Sequence, residues 1–315
     1  MVKIGRGSCQ RTSVPLFVPV SPTALFNQGK MVHKMAESKK CNENIPAPPV
    51  GSIEPHAALL NRPPDDQLLY KVMRVEDLLR SISGSYLHFN RVDSYKDFQG
   101  ADAHDGQQLP KDRHDNAMAK FAKAPSFSVE DYYNQCRART YACCFSVENS
   151  DHTWRKYGNG GKKGKACVVF KFSQLRSRLN KTLQAGNSAL EYNGKRCHQI
   201  FSVNYGLVEY VVWKIHQANM GKRLNPIKYT YFKDRESFEN EKELRISLSA
   251  IGIGQFSLID GSVMEFPAHL QVAFDFRAAI ADGTIQKILY SPDCDLVFLH
   301  SELNRLGIEL REERA

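Results

Sequence analysis

The stretch FENEKELRIS, residues 238–247, sets Glu239, Glu241 and Glu243 at alternate positions and then runs into an alternating apolar pattern. Residues two apart on a strand share a face, so Glu241 and Glu243 are expected to project together. Carboxylates that close resist joint ionisation, and one of them is expected to have a raised pKa. Such a pair suits work on a sugar. One carboxylate hydrogen-bonds a ribose hydroxyl, and the other steadies an oxocarbenium-like centre or activates a nucleophile. The plainer reading is a solvated strand end screened by Lys242 and Arg245.

A second group lies in CCFSVENSDHTWRKYG. The pattern predicts a strand ending at Phe145-Ser146, a turn through Asn149, Ser150 and Asp151, and a short helix. On that helix Trp154 and Tyr157, three apart, share a face. An aromatic pair beside a strand-end serine can sandwich a flat ring such as nicotinamide or a base; the same residues also suit an ordinary core. Earlier, LYKVMR places Lys71 and Arg74 at the first strand, where a cation can bind pyrophosphate or simply face water. DAHD (102–105) and DRHD (112–115) contain metal-ligand types, but not at a helical or hairpin ligand spacing, so no metal site is assigned. GNGGKKGK lacks the order G-x-x-x-x-G-K-[ST] of a phosphate loop and reads as loop punctuation. There is no G-x-S-x-G nucleophile elbow.

These groups need a scaffold. Strand patterns fall at LLYKVM, YLHFN, TYACCFSV, ACVVFKF, HQIFSVNYG, LVEYVVW, ELRISLS, QVAFDF and IQKILYSP. Helical spacing falls at VEDLLRSI and DLVFLHSELNRLGI, and residues 93–117 read as a long polar loop. Many short strands with few helices and no βαβ alternation predict an α+β fold, with a mixed, mostly antiparallel sheet core and a few flanking helices. Residues 66–315 form the expected single domain. Residues 1–65 are Pro-, Ser- and Asn-rich, with eight Lys/Arg against four acids, and are expected to be a disordered basic tail; Met31 and Met35 are alternative starts. No apolar run reaches the ~18 residues of a membrane span. Eight cysteines without a C-x-x-C pair point to reduced thiols and a cytoplasmic protein. The net charge of +9 points to an anionic partner, a nucleic acid or a phosphate-bearing cofactor.

The order L-Y-K, Y-L-x-F, C-F-S…W-x-x-Y-G…G-x-A-x-V-x-F, E-x-E-x-R and I-x-K-I-x-x-S-P resembles the bacterial domain-of-unknown-function family 2971, over about Leu68–Gly307. It also resembles, more distantly, ADP-ribosyltransferases of the arginine-serine-glutamate type. That second resemblance implies a basic residue on an early strand (Lys71, or Arg74), a serine strand end (Phe145-Ser146) and an E-x-E (Glu241 and Glu243). It implies that Glu243 holds the nicotinamide ribose of NAD and that Glu241 helps an acceptor attack. The chain departs from the pattern in having Lys71 where arginine is expected, and Val147 after Ser146. The expectation is an NAD-using transferase or glycohydrolase, a bacterial or phage toxin or defence factor, in an electropositive cleft with a protein or nucleic-acid acceptor. The alternatives are a nucleic-acid-binding or -processing module and a non-catalytic interaction protein.

Overall fold

The computed structural model describes residues 60–97, 101–183, 190–197, 201–218, 225, 227–250, 255–309 and 312–314. Most of the expected tail, residues 1–59, lies outside the described residues. The first described residues already touch the sheet. Leu207 N–H donates to the Asn61 carbonyl at 2.6 Å and Ser173 N–H to that of Asp65 at 3.1 Å.

The chain opens with β1 (Leu68–Arg74), α1 (Val75–Ser83) and β2 (Tyr86–Arg91). A 3-10 turn (Val92–Asp97) and α2 (Pro110–Met118) lead to β3 (Lys120–Phe121), β4 (Ala124–Ser128) and α3 (Val129–Arg137). Then come β5 (Thr140–Ser146), α4 (Asp151–Lys156), β6 (Lys165–Lys171) and α5 (Phe172–Thr182). Short strands β7 (Leu190–Tyr192) and β8 (Lys195–Arg196) precede β9 (Phe201–Leu207) and β10 (Glu209–Val211). A 3-10 turn (Lys228–Tyr231), β11 (Phe232–Asp234), α6 (Arg235–Phe238) and a further 3-10 turn (Glu239–Glu241) introduce β12 (Glu243–Ala250). The last elements are β13 (Phe256–Ser257), β14 (Val263–Met264), β15 (His269–Ala273), α7 (Phe276–Ala281), β16 (Ile285–Tyr290), α8 (Leu296–Arg305) and β17 (Glu312–Arg314).

The fold is α+β, as expected. Its main sheet runs β17-β16-β6-β1-β5-β2-β15-β7-β8, with β12 and then β9 branching from β5. Among the described residues, only β16–β17 in this sheet, and the separate pair β10–β11, are parallel. Local chemistry sets the elements. In α1, Val75, Leu78, Leu79 and Ile82 are buried as one helical stripe, and Glu76 and Asp77 sit at the positive helix start. A capping box starts α3: Ser128 Oγ accepts from Asp131 N–H at 3.0 Å, and Asp131 Oδ2 accepts from Ser128 N–H at 2.8 Å. One sheet face, with Leu69, Phe145, Val168 and Ile246, packs on α1, α5, α7 and α8 through Leu78, Leu175, Ala279 and Leu299.

The branch at β5 matters most. Strand β12 pairs with one edge of β5 along its whole length, from Glu243↔Ser146 to Ser249↔Thr140. The other edge is shared. Strand β1 meets it only at Tyr70↔Ser146, while β2 meets it at Asn90↔Ala142 and Arg91↔Tyr141. Strands β1 and β2 therefore diverge from β5, and the sheet forks.

Two differences from the sequence pattern have physical causes. Within the expected 93–117 loop, the 3-10 turn and α2 form. Pro110 starts α2 with its φ preset, but Asp112 is the only buried residue of that helix, so no apolar period announces it. Helices α3, α5 and α7 stand outside the predicted set, although Phe172, Leu175 and Leu179 of α5 are a buried i, i+3, i+7 stripe. In LVEYVVW only Glu209–Val211 is a strand. Among the described residues no helix is long and apolar enough to cross a membrane, and six cysteines are free thiols.

The Gly-rich turn between α4 and β6 is built tightly. Gly164 has φ +82°, and an added Cβ would lie 2.6 Å from Cys294 Cα and 2.8 Å from the Asp293 carbonyl oxygen. Gly164→Ala should cost about 2–3 kcal/mol by urea unfolding, because backbone must move as well as strain. Gly194→Ala, at φ +72° with open space around it, should cost only about 1 kcal/mol.

Candidate functional site

A cavity of about 1150 Å³ occupies the fork. Of the residues singled out in the sequence, Lys71, Arg74, Ser146, Tyr157, Glu241 and Glu243 line it; Trp154 does not. Six basic and five acidic side chains line the cavity. The expected electropositive cleft is instead nearly charge-balanced.

Arg245, on β12, is completely buried. Taking a guanidinium out of water costs several kcal/mol unless its donors are all met. Here they are. Nε donates to Glu243 Oε1 at 2.8 Å and Nη2 to Oε2 at 3.2 Å. Nη1 and Nη2 reach the two oxygens of Asp105 at 2.5 and 2.9 Å, and Nη1 also reaches the Thr230 carbonyl at 2.5 Å. Lys233, from β11, places Nζ 2.7 Å from Glu241 Oε2 and 2.7 Å from Glu243 Oε2. Lys156, at the end of α4, meets the other oxygen of Glu241 at 2.5 Å. The Phe238 ring lies between the two ammonium groups, 4.5 Å from Lys156 and 5.1 Å from Lys233. The chain Asp105–Arg245–Glu243–Lys233–Glu241–Lys156 thus alternates in sign.

The E-x-E does converge, but not as two residues of one strand. Glu241 ends a 3-10 turn, Lys242 takes a left-handed conformation (φ 44°, ψ 52°), and β12 begins at Glu243. Glu239 is exposed on the same turn. The expected raised pKa is overturned for Glu243. Burial pushes its pKa up, but Arg245 and Lys233 outweigh that and hold it well below the ordinary carboxylate range. An ammonium between the carboxylates replaces their repulsion with attraction. The start of β12 is also pinned by Glu243 N–H donating to Tyr210 Oη at 2.7 Å.

Ser146, buried and in register with Glu243, accepts from Glu148 N–H at 3.1 Å through its hydroxyl oxygen. Tyr157 borders the same region, and burial, with Glu241 and Glu243 nearby, raises its phenol pKa; it stays a neutral donor. Trp154 and Tyr157 do not share a helix face. Helix α4 stops at Lys156, and Tyr157 is extended (φ −103°, ψ 161°). Trp154 packs beside Tyr70 and Val72 against Cys167, Val169 and Leu289, with Nε1 donating to Asn149 Oδ1 at 2.7 Å. Lys71 and Arg74 separate as well, since positions three apart on a strand face opposite ways. Lys71 Nζ donates to the Cys144 carbonyl at 3.1 Å, a group on the edge that the fork leaves without a strand partner. Arg74 holds Asp77 at 2.6 Å, and Arg80 shares that carboxylate at 2.8 Å.

Four participants were not singled out in the sequence as members of this site: Asp105, Lys156, Lys233 and Arg245. Asp105 stands in the DAHD stretch, where its partner is a guanidinium. Of its neighbours, Asp102 Oδ1 accepts from His104 N–H at 2.8 Å, and Asp112 Oδ2 accepts from Tyr229 Oη at 3.2 Å. The Gly-rich turn closes on an internal anion: Lys162 and Lys163 N–H donate to Glu76 Oε1 at 2.8 and 3.1 Å.

Lys233→Met should destabilise the fold by about 3–5 kcal/mol, because it strands two buried carboxylates. Adding Glu241→Gln should recover part of that loss; equal losses in the single and double variants would show that the three groups do not act as a unit. The pH dependence follows from Glu243, whose folded pKa is depressed from 4.5. Its contribution to stability is complete above about pH 4.5 and is lost as pH falls through the folded value. Asp105, whose pKa burial raises despite Arg245, acts in the opposite sense. Melting temperature measured from pH 6 down to pH 2 should therefore fall less steeply in Glu243→Gln than in the wild type. No family model, curated protein or solved structure matches the chain.

Proposed function

We propose that the protein binds NAD in the fork cavity and breaks the bond between nicotinamide and ribose. The C–N bond's electron pair leaves with nicotinamide, positive charge builds on the ribose carbon, and an oxygen nucleophile forms the new bond and gives up its proton to solvent. Water as nucleophile makes this a glycohydrolase, and a hydroxyl of an acceptor makes it an ADP-ribosyltransferase.

One observation carries this reading. The strands that the transferase resemblance singles out, β1, β5 and β12, lie side by side, with Tyr70, Ser146 and Glu243 in one cross-strand row at the cavity. Glu243 is held ionised, as a group that stabilises a developing cation must be. It is fixed from two sides, so little reorganisation is needed during reaction. Glu241 takes a different role from the one the resemblance implies. Both its oxygens hold ammonium groups, so it positions Lys233 and leaves proton transfer to another group. The basic stretch that a nucleic-acid partner would use is partly committed to internal contacts. In KYGNGGKKGK, Lys163 pairs with Asp295 at 2.9 Å, and Lys165 reaches the Trp154 carbonyl at 2.5 Å and Asn159 at 2.6 Å.

Incubation of the full chain with NAD, followed by chromatography, should show release of nicotinamide. Glu243→Gln should lower the rate by about 10²–10³-fold, as expected for loss of one preorganised electrostatic group. Because that change also strands Lys233 and Arg245, Ser146→Ala supplies a milder test, with about a tenfold loss and an unchanged melting temperature. A folded wild type that leaves NAD intact, or undiminished turnover in Glu243→Gln, overturns the reading.

A further inference from the structure

The cavity extends well beyond the carboxylates. Its volume of about 1150 Å³ passes the upper end of the ~300–1,000 Å³ range of ordinary small-molecule sites. Pairing geometry shows what lies at the far end. Asn90 is in register with Ala142 on β5 and with His269 on β15, and alternation puts Ala142, Cys144, Ser146 and Glu243 on one face. His88, Asn90 and His269 therefore stand on the Glu243 face, and all three line the cavity.

The two imidazoles are stacked, with centroids 5.0 Å apart and planes at 25°. His88 Nε2 meets Asn90 Oδ1 at 3.0 Å, which fixes the first ring. Tyr192 buttresses His269 from 5.6 Å. All three polar residues are partly open rather than sealed. Burial lowers the His88 pKa, assisted by His269 and Lys71 and opposed by Asn90, so its ring is neutral at pH 7 and suited to stacking on an uncharged base. From β12 through β5 and β2 to β15 there are three strand steps of ~4.8 Å, and Ala142 lies four residues of ~3.3 Å along β5 from Ser146, so His269 lies roughly 20 Å from Glu243. A single mononucleotide does not bridge such a gap; two joined nucleotides do.

We propose that the His88–His269 stack with Asn90 is the binding site for a nucleobase ring, which makes the fork cavity a dinucleotide site with its two rings at opposite ends. The identification of this base as adenine rests on the NAD reading above. The stacked imidazoles supply a flat surface, and the Asn90 amide, with the free edge of His269, supplies the in-plane hydrogen-bonding partners of a purine.

Calorimetric titration of the full chain with AMP and, separately, with nicotinamide mononucleotide tests the assignment. AMP should bind. His269→Ala should weaken AMP at least about tenfold, the scale of one lost base–aromatic stack, and His269→Phe should keep it within about twofold, with both variants melting near the wild type. Binding of nicotinamide mononucleotide should be the same in all three proteins. Absence of AMP binding, wild-type affinity in His269→Ala, or loss of AMP in a folded His269→Phe overturns the site. Tighter binding of an oligoadenylate than of AMP, with a steep salt dependence, overturns the dinucleotide assignment in favour of a nucleic-acid strand. The two readings fail separately. AMP binding without NAD turnover sinks only the catalytic proposal, and NAD turnover with normal KM in His269→Ala sinks only this one.

Discussion

A guanidinium with no access to water organises this protein. Arg245 sits in the strand next to β5, and the desolvation of such a group is prohibitive unless every N–H finds an acceptor. Two carboxylates and one carbonyl meet that demand, and they come from three separate parts of the chain: the loop at Asp105, the turn at Thr230 and the strand itself at Glu243. Folding has to bring these together at once. The loop over the cavity, the β11 region and the sheet are in that sense one cooperative unit, because releasing any of them leaves charge buried without a partner.

Lys233 extends the same logic toward the cavity. A buried ammonium between Glu241 and Glu243 explains how two carboxylates share a small volume, since it replaces their repulsion with attraction. It also divides their labour. Glu243 keeps an ordered, ionised carboxylate at the cavity wall, while Glu241 is spent on Lys233 and Lys156. A network of alternating sign is close to neutral as a whole, so the cavity gains fixed local dipoles without a large net field. That arrangement favours orientation of a small bound group over long-range attraction of a polyanion.

Elements with strong periodicity were legible in the sequence: β1, β2, β5, β6 and β16 from apolar alternation or runs, and α1 from its stripe of Val75, Leu78, Leu79 and Ile82. The E-x-E was legible as a site, but its geometry was not. The alternation places Glu241 on one strand face with Glu243, whereas the left-handed Lys242 separates them and β12 begins at Glu243. The Trp154–Tyr157 pairing failed because α4 ends one residue too early for Tyr157. What carried no local trace was pairing at a distance. Arg245 and Asp105 are 140 residues apart, and nothing in DAHD distinguishes a partner for arginine from a ligand for metal. One signal does exist: Arg245, Ser247 and Ser249 form a polar row opposite Leu244, Ile246 and Leu248 in a strand that is buried throughout. A charged residue in such a strand must have a buried counter-ion, even though the sequence does not say which.

The fork joins the network to the cavity. Splitting a sheet leaves backbone groups on β5 without strand partners, and such groups are costly inside a fold. Lys71 meets one of them, the Cys144 carbonyl, and Tyr95 Oη lies 3.4 Å from the Ala142 carbonyl, where β2 still pairs with β5. A side chain performing this service is not free to pair with a ligand as a mobile surface lysine would. Lys71 is thus better placed as the residue that keeps the fork open than as a phosphate clamp. The cationic edge of the cavity falls instead to Arg74 and Arg80, two guanidinium groups sharing the single carboxylate of Asp77. An opened sheet therefore supplies both the space for a ligand and, through the side chains that stabilise the opening, the order in which charge, hydroxyl and aromatic surface are presented along it.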